Sequence, residues 1–139
     1  MAKKHQYHNW SLGKKTTYLK YSIKTVEVFI IDEWKKILIK DIEFIESYGS
    51  YCIFYLINMP NVTSSQGLSH YTGQLPENYF GKYHRGFVFN RWHVVDFSPG
   101  SVWTVKTKSG NQLPVTEKLE TMMKEDFFAF RKENGNAEK

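Results

Sequence analysis

Apolar and polar residues alternate in short runs through much of the chain after residue 24, a pattern typical of β-strands that are buried on one face. The run Thr25–Ile31 alternates and then becomes wholly apolar, so it predicts a first strand. The polar segment Asp32–Lys36 predicts a turn after that strand. Three further strands are predicted at Ile37–Lys40, Ile42–Glu46 and Tyr51–Ile57, with a loop at residues 47–50.

The second half of the chain combines strands with two helices. Leu68, Tyr71 and Leu75 share one face of a short helix that ends at Pro76. Thr116 is a suitable start for a second helix, because acidic residues follow it and apolar residues then recur at helical spacing. Those apolar residues are Leu119, Met122, Met123, Phe127 and Phe130. Strands are predicted at residues 83–90, 92–97, 102–108 and 112–115.

These patterns predict one mainly β domain, an antiparallel β-fold with one short internal helix and a C-terminal helix. A chain of 139 residues can bury one substantial core but is too short for two. The predicted boundaries are a basic flexible N-terminal arm at 1–24, the domain at 25–131 and a disordered tail at 132–139.

The net charge of +5 is unevenly distributed. Residues 1–24 contain six Lys and no acidic residue, so the arm accounts for the whole excess. Residues 82–118 carry six Lys and Arg against two acids, whereas residues 25–46 carry three Lys against six acids. A basic face and an acidic face are expected of a protein that binds a polyanion in one orientation, although chance clustering on a solvated surface gives the same counts.

The residues needed for common catalytic and metal sites do not occur at the required spacings. Cys52 is the single cysteine, which excludes an internal disulfide and a CxxC zinc site and fits a reducing cytoplasm. The five histidines show no HxxxH or HExxH spacing, and no phosphate-binding glycine loop is present. No run of about 18 apolar residues is found, and the N-terminus lacks a secretory signal. We therefore expect a cytoplasmic protein that is not an enzyme and that uses no metal, cofactor, membrane or small-molecule ligand.

Three segments, taken in order, carry a resemblance to a known family. The first is Ile37–Ser47, a strand followed by Asp-Ile, an aromatic residue and Ile-Glu. The second is Lys82-Tyr83-His84-Arg85-Gly86-Phe87-Val88-Phe89-Asn90, and the third is Lys108–Thr116, which contains Gly, Pro and Val. Their order and spacing over residues 25–120 resemble the LytTR family, the DNA-binding domain of many bacterial response regulators. This chain has no room for the receiver domain that many members carry.

The resemblance implies a protein that inserts loops, rather than a recognition helix, into successive major grooves of DNA. The implied contact segments are Tyr48–Tyr51, Lys82–Gly86 and Thr116–Lys118. The individual candidates are Tyr48, Ser50, Tyr51, Lys82, His84, Arg85, Gly86, Thr116, Glu117 and Lys118. The sequence departs from the family at Gly86, where Ser is usual, and at Glu117, where Arg is frequent.

The residue types in these segments suit the implied roles. The planar fork of Arg85 can bind guanine O6 and N7 together, and Lys82 and His84 can hold phosphates. Thr116 can contact a phosphate, and Gly86 can let the backbone approach DNA closely. Structural interpretations remain open beside these. His84 could hold its turn, Asn90 could satisfy a turn backbone, and the tyrosines could cover a sheet edge.

The sequence thus predicts a stand-alone, sequence-specific transcriptional regulator that binds double-stranded DNA as a homodimer or as paired monomers. One alternative is a small β-barrel RNA-binding protein or a ribonuclease toxin, which would also be basic, aromatic and poor in cysteine. A second alternative is a protein-interaction module that uses exposed aromatics and the apolar stripe of the last helix. The basic arm could track phosphates or be a solvated tail.

Overall fold

A computed structural model describes residues 18–135, which contain ten β-strands and a helix at the C-terminal end. Helical residues 18–22, here the N-terminal helical segment, precede the strands. The strands are β1 (Thr25–Ile30), β2 (Glu33–Leu38), β3 (Ile42–Tyr48), β4 (Tyr51–Leu56), β5 (Val62–Ser64), β6 (Phe80–His84), β7 (Phe87–Asn90), β8 (Val94–Ser98), β9 (Thr104–Thr107) and β10 (Gln112–Pro114). The internal helix is Leu68–Thr72, and the C-terminal helix is Glu120–Asn134.

All strand pairs are antiparallel, and they form three sheets. The central five-stranded sheet has the order β5-β4-β3-β7-β6, while β1 pairs with β2 and the third sheet has the order β10-β9-β8. β3 is the middle strand of the large sheet, where Ile42, Phe44 and Ile45 are at most 3% exposed. Successive residues Ile42 to Ile45 are all buried, including Glu43, so β3 is covered on both faces along its first half.

The C-terminal helix packs against the sheets through one apolar stripe. Met123, Phe127 and Phe130 are buried at positions that helical spacing brings to one side. The Phe130 ring meets Trp92 edge-on with centroids 5.1 Å apart, and Phe127 lies 5.6 Å from Phe97. The helical spacing read from the sequence is therefore confirmed, and a 3-10 turn at Glu117–Leu119 leads into the helix.

Asn90 ties the sheet to the N-terminal helical segment. Its side-chain amide donates to Tyr21 Oη at 2.7 Å and to the carbonyl oxygens of Ile39 and Ile42 at 3.1 Å each. Its Oδ1 accepts from the backbone N–H of Trp92 at 3.1 Å. Asn90 is fully buried, so its amide satisfies backbone groups, as the structural interpretation of its strand-end position proposes.

The structure differs from the sequence-based elements in several places. The predicted turn at Asp32–Lys36 is wrong, because most of it belongs to β2, which pairs with β1 from Glu33 to Leu38. Residues 83–90 are not one strand, because the turn at residues 85 and 86 separates β6 from β7. The internal helix ends at Thr72, before Leu75.

Ordered structure extends beyond both predicted boundaries of the domain. Tyr21 is 1% exposed although it falls within the predicted arm, and the C-terminal helix continues to Asn134, beyond the predicted boundary at residue 131. Most of the predicted arm and the last residues of the predicted tail lie outside the described residues.

Candidate nucleic-acid interface

The three segments singled out in the sequence meet at one end of the five-stranded sheet. Two of them are the β3–β4 and β6–β7 turns, and antiparallel pairing with β7 brings these turns to the same end. The backbone N–H of Ser47 donates to the Gly86 carbonyl at 2.8 Å, and that of Thr116 donates to the Tyr83 carbonyl at 2.8 Å. We call Tyr48–Tyr51, Lys82–Gly86 and Thr116–Lys118 together the loop face.

The first segment of the loop face presents a pair of tyrosines. The rings of Tyr48 and Tyr51 stack at 5.4 Å between centroids and 10° between planes, and both side chains are about two-fifths exposed. Ser50 lies exposed in the turn between them. Since the two residues face each other across the antiparallel pair, their side chains lie on the same face of the sheet, where the rings stack.

The second segment is a turn that its own side chains hold in shape. His84 Nδ1 accepts a hydrogen bond from the backbone N–H of Gly86 at 3.0 Å. Lys82 Nζ donates to the carbonyl oxygens of His84 and Arg85 at 3.3 and 3.2 Å. Partial burial lowers the pKa of Lys82 below its ordinary value. The side chain of Arg85 is exposed at the tip of this turn and makes no hydrogen bond or ion pair within residues 18–135.

Gly86 is required by the histidine beside it. A Cβ atom at this position would lie 3.3 Å from His84 Nδ1 and 3.5 Å from Cε1. The absent side chain therefore makes room for the imidazole that accepts from the Gly86 N–H. This contact gives a physical reason for the departure from Ser at this position, in addition to the expected close approach to DNA.

The third segment carries one acid and one base side by side. Thr116 begins the 3-10 turn Glu117–Leu119, and its side chain makes no capping hydrogen bond. Its backbone is fixed to Tyr83, as described above. Thr116, Glu117 and Lys118 are all exposed, so their polar groups face solvent next to the second segment.

A buried polar network behind β6 has no counterpart in the sequence-based site. Arg91 is 8% exposed and donates from Nη1 to the Glu77 carbonyl at 2.7 Å and from Nη2 to Tyr83 Oη at 2.6 Å. Tyr83 in turn donates to Asp126 Oδ2 at 2.5 Å. Burial, followed by the hydrogen bond to Asp126, raises the pKa of Tyr83 to about 12. The network links the C-terminal helix to the strand that leads into the His84-Arg85 turn.

Little in the sequence indicates this network. Arg91 follows an apolar strand directly, where a basic residue is commonly exposed, and Asp126 lies 35 positions later on a polar helix face.

The sequence also does not indicate a second long-range contact. Glu43 is 2% exposed and accepts from the Ser109 N–H at 2.9 Å, so it holds the β9–β10 turn.

The described residues offer little for catalysis or metal binding. No group of three or more His, Cys, Asp and Glu side chains converges among residues 18–135. Cys52 is fully buried, and desolvation raises the pKa of its thiol to about 11, so it is a poor nucleophile at neutral pH. In the same part of the chain, no helix has the length and apolar character needed to cross a membrane.

Comparison with known proteins gives one family. The LytTr DNA-binding domain model matches residues 32–127. Among solved structures, the fold is similar to the LytTr DNA-binding domain of a Bacillus cereus protein described as a methyl-accepting/DNA response regulator, with a TM-score of 0.62 and 18% identity. That similarity covers 73% of this chain and 94% of the other chain. No curated protein sequence matches the chain significantly.

Proposed function

The chain belongs to the LytTR family of DNA-binding domains, and from that membership we propose that it is a transcriptional regulator that reads double-stranded DNA with its loop face. The family consists of DNA-binding domains rather than enzymes, and we extend the absence of an enzymatic activity to this chain. We further propose that it acts in the cytoplasm, where promoter DNA is accessible, as a homodimer or as paired monomers on repeated sites.

The observation that carries this proposal is the convergence of the three segments. Two backbone hydrogen bonds, from Ser47 to Gly86 and from Thr116 to Tyr83, fix the turns relative to one another. Loops held this way can enter a groove without paying the ordering cost that a flexible loop pays on binding. The loop face is therefore preorganised for a rigid partner such as a DNA duplex.

Arg85 is the proposed base-reading side chain. It extends from the tip of a turn that Lys82 and His84 hold from within, and its guanidinium makes no hydrogen bond or ion pair among residues 18–135. A guanidinium can donate two hydrogen bonds to guanine O6 and N7 in the major groove, which discriminates against other bases by about 1–3 kcal/mol. Among residues 18–135, no acceptor competes with DNA for these donors.

Phosphate contacts are proposed for the cations around Arg85. Because His84 Nδ1 accepts from a backbone N–H, the neutral ring carries its proton on Nε2, which is then a donor for a phosphate oxygen. Lys82 uses two of its three donors on carbonyl oxygens, which leaves one for a phosphate. Lys118 is exposed and has no hydrogen bond or ion pair in the described part of the chain.

Glu117 has a different proposed role. A carboxylate beside the phosphates repels them, but it can accept a hydrogen bond from the N4 amine of cytosine. Since Lys118 follows it directly, the pair can place one cation on the backbone while the acid faces a base edge. We propose that this pair makes the third segment selective for cytosine.

The test is selection of bound duplexes from a random 30-mer pool at moderate salt, with a single-stranded RNA pool in parallel. We expect enrichment of a motif that repeats at about one helical turn, because loops entering successive major grooves are spaced by that period. Enrichment of RNA alone, or RNA cleavage without added metal, would favour the RNA-binding or toxin alternative. Enrichment of neither pool, with concentration-dependent self-association, would favour a protein-interaction module.

A matched variant identifies the surface responsible. Arg85→Ala is expected to remove the preference for one base pair of the enriched motif, whereas Arg131→Ala should leave the motif intact. Arg131→Ala removes the same charge from the C-terminal helix, where the guanidinium lies over the Phe127 ring. The two residues before Arg131, Ala129 and Phe130, line a pocket together with Glu77 and Asn78. Glu77 and Asn78 precede β6, so this pocket lies at the end of β6 opposite His84. Loss of the motif in both variants would mean that net charge, not the loop face, carries the selection.

A further inference from the structure

A small cavity opens between β6, the loop after the internal helix and the C-terminal helix. Its volume is about 260 Å³. The buried side chains of Leu75, Phe80 and Val88 contribute an apolar wall, and Met122, which is 46% exposed, lies at the opening. The volume lies just below the range of about 300–1,000 Å³ that is typical of small-molecule sites. The cavity therefore suits a small metabolite and is too small for a nucleotide.

Arg91 forms the polar end of this cavity. Its Nη1 and Nη2 donate to the Glu77 carbonyl and to Tyr83 Oη, but its Nε has no hydrogen-bond partner within the described residues. The Oδ2 atom of Asp126, its ion-pair partner, is 3.9 Å from Nη2, beyond hydrogen-bond distance. Nη1 and Nη2 each carry a second N–H, and a carboxylate is the group that best accepts from a guanidinium.

Gly81 allows the guanidinium to occupy this position. A Cβ atom there would lie 2.6 Å from Tyr83 Cε2 and 3.2 Å from Arg91 Nη2. Any larger residue would displace the tyrosine or the arginine from the wall of the cavity. The glycine, the arginine and the tyrosine therefore act together to present a cation beside an apolar surface.

The charges of the cavity wall select the kind of ligand. Lys82 and Arg91 supply two positive charges, and Glu77 and Asp126 supply two negative charges. A simple anion would gain from the cations but would also be repelled by the two carboxylates. A ligand that carries one positive and one negative group can place each group beside a wall residue of opposite charge. The apolar wall can then accept an uncharged side chain of the ligand.

We propose that this cavity binds a free α-amino acid with an apolar side chain. The carboxylate of the ligand accepts from Arg91, and its ammonium group donates to Asp126. The ligand side chain packs on Leu75, Phe80 and Val88. The site adjoins the loop face and shares Lys82 and Tyr83 with its second segment, but it involves neither Arg85 nor Glu117, the residues proposed to read bases.

The test is calorimetric titration of the full chain, without DNA, with L-leucine and L-phenylalanine. N-acetyl-L-leucine and L-leucinamide serve as probes that lack the ammonium group and the carboxylate. We expect saturable binding of the free amino acids and roughly tenfold weaker binding of each derivative, since each loses a charged hydrogen bond. No saturable binding of the free amino acids, or binding of either derivative as tight as that of L-leucine, would overturn the proposal. Because no DNA is present, either result is independent of the proposed function.

Variants on the C-terminal helix keep the test independent of folding. Asp126→Asn is nearly isosteric at a side chain that is 43% exposed, and it should weaken L-leucine roughly tenfold while leaving N-acetyl-L-leucine unchanged. Glu125→Gln is the matched control, because it removes the neighbouring carboxylate, which does not line the cavity. Equal effects of the two variants on L-leucine would contradict the assigned ammonium site.

Discussion

At the residue scale, the basic side chains of the loop face divide into two kinds. Lys82 and His84 are hydrogen-bonded to the turn that they flank, whereas Arg85 and Lys118 make no hydrogen bond or ion pair among residues 18–135. The first kind shapes the surface, and the second kind has its donors available for DNA. The sequence identifies all four as candidates but does not separate these two roles, because the separation depends on which carbonyl each side chain reaches.

Replacing Arg85 with Ala tests the base-reading role. The variant is expected to lose discrimination at one base pair by about 1–3 kcal/mol while it keeps most of its non-specific affinity, because the guanidinium supports no structural contact. Competition binding with single-base variants of the selected site measures this directly. Unchanged preference at every position would remove Arg85 from the base-reading set.

Comparing Lys118→Ala with Lys82→Ala distinguishes two proposed roles. Lys118 contacts phosphate only, whereas Lys82 contacts phosphate and also holds a turn. Lys118→Ala should weaken all duplexes alike and lower the salt slope of binding by about one, with no change in stability. Lys82→Ala should have the same effect on the slope and should also loosen the turn, since two carbonyl oxygens lose their donor. Fluorescence anisotropy over a salt series, with thermal melts of both proteins, provides the comparison. Identical melts and slopes for the two variants would contradict the distinction.

At the element scale, the sequence predicts the strands and helices that bury one continuous apolar face. β1, β3, β4 and the C-terminal helix follow from apolar periodicity, because each buries a continuous apolar face. Apolar periodicity does not predict β2, because Glu33–Lys36 are exposed. These residues form a strand through their pairing with β1. The sequence of β5 is short and follows Pro60, so it resembles a loop between strands.

The candidate site is predictable to a similar extent. The three segments could be found because a family resemblance places them, although periodicity alone would not bring residues 48, 84 and 117 together. The network of Tyr83, Arg91 and Asp126 could not be found, because it joins a strand to a helix across many intervening residues. Such contacts depend on the folded arrangement and leave no local pattern.

The β1–β2 hairpin contains a strained residue that provides an element-scale test. Ile31 has a φ of 61° and is 86% exposed, so it occupies a left-handed conformation that β-branched residues avoid and gains no burial in return. Ile31→Gly is expected to stabilise the protein by about 1 kcal/mol, because glycine adopts this conformation without a steric penalty. Urea denaturation measures the change. A variant that is less stable than the native chain would show that the entropy that glycine adds to the unfolded chain exceeds the relieved strain.

At the scale of the whole molecule, charge is distributed along the fold as it is along the sequence. The acidic region at residues 25–46 includes the β1–β2 hairpin, whereas the basic region at residues 82–118 includes two segments of the loop face. A polyanion is therefore expected to approach the loop face in preference to the hairpin, which carries three acids against two lysines. This long-range field supports the orientation that the proposed contacts require.

Buried tyrosines make the stability of the whole fold sensitive to alkaline pH. Burial raises the pKa of Tyr21 well above 10.0, and burial and Asp126 raise the pKa of Tyr83 to about 12. Because the folded pKa exceeds the unfolded pKa, both contributions are complete below about pH 10 and decline as the pH rises above it. The melting temperature should therefore fall as the pH rises from about 10 to about 12. Tyr83→Phe should reduce this fall, although it also removes a hydrogen bond, and an unchanged fall in both Tyr21→Phe and Tyr83→Phe would exclude these groups as its cause.

The measurement that tests the central claim most directly is titration of the ¹⁵N-labelled protein with its selected duplex, followed by amide chemical shifts. The account requires the largest shifts at Tyr48–Tyr51, Lys82–Gly86 and Thr116–Lys118, with the amides of the β1–β2 hairpin almost unchanged. Shifts centred on the hairpin or on the outer face of the C-terminal helix, with the loop face unaffected, would contradict the claim that this end of the sheet binds DNA.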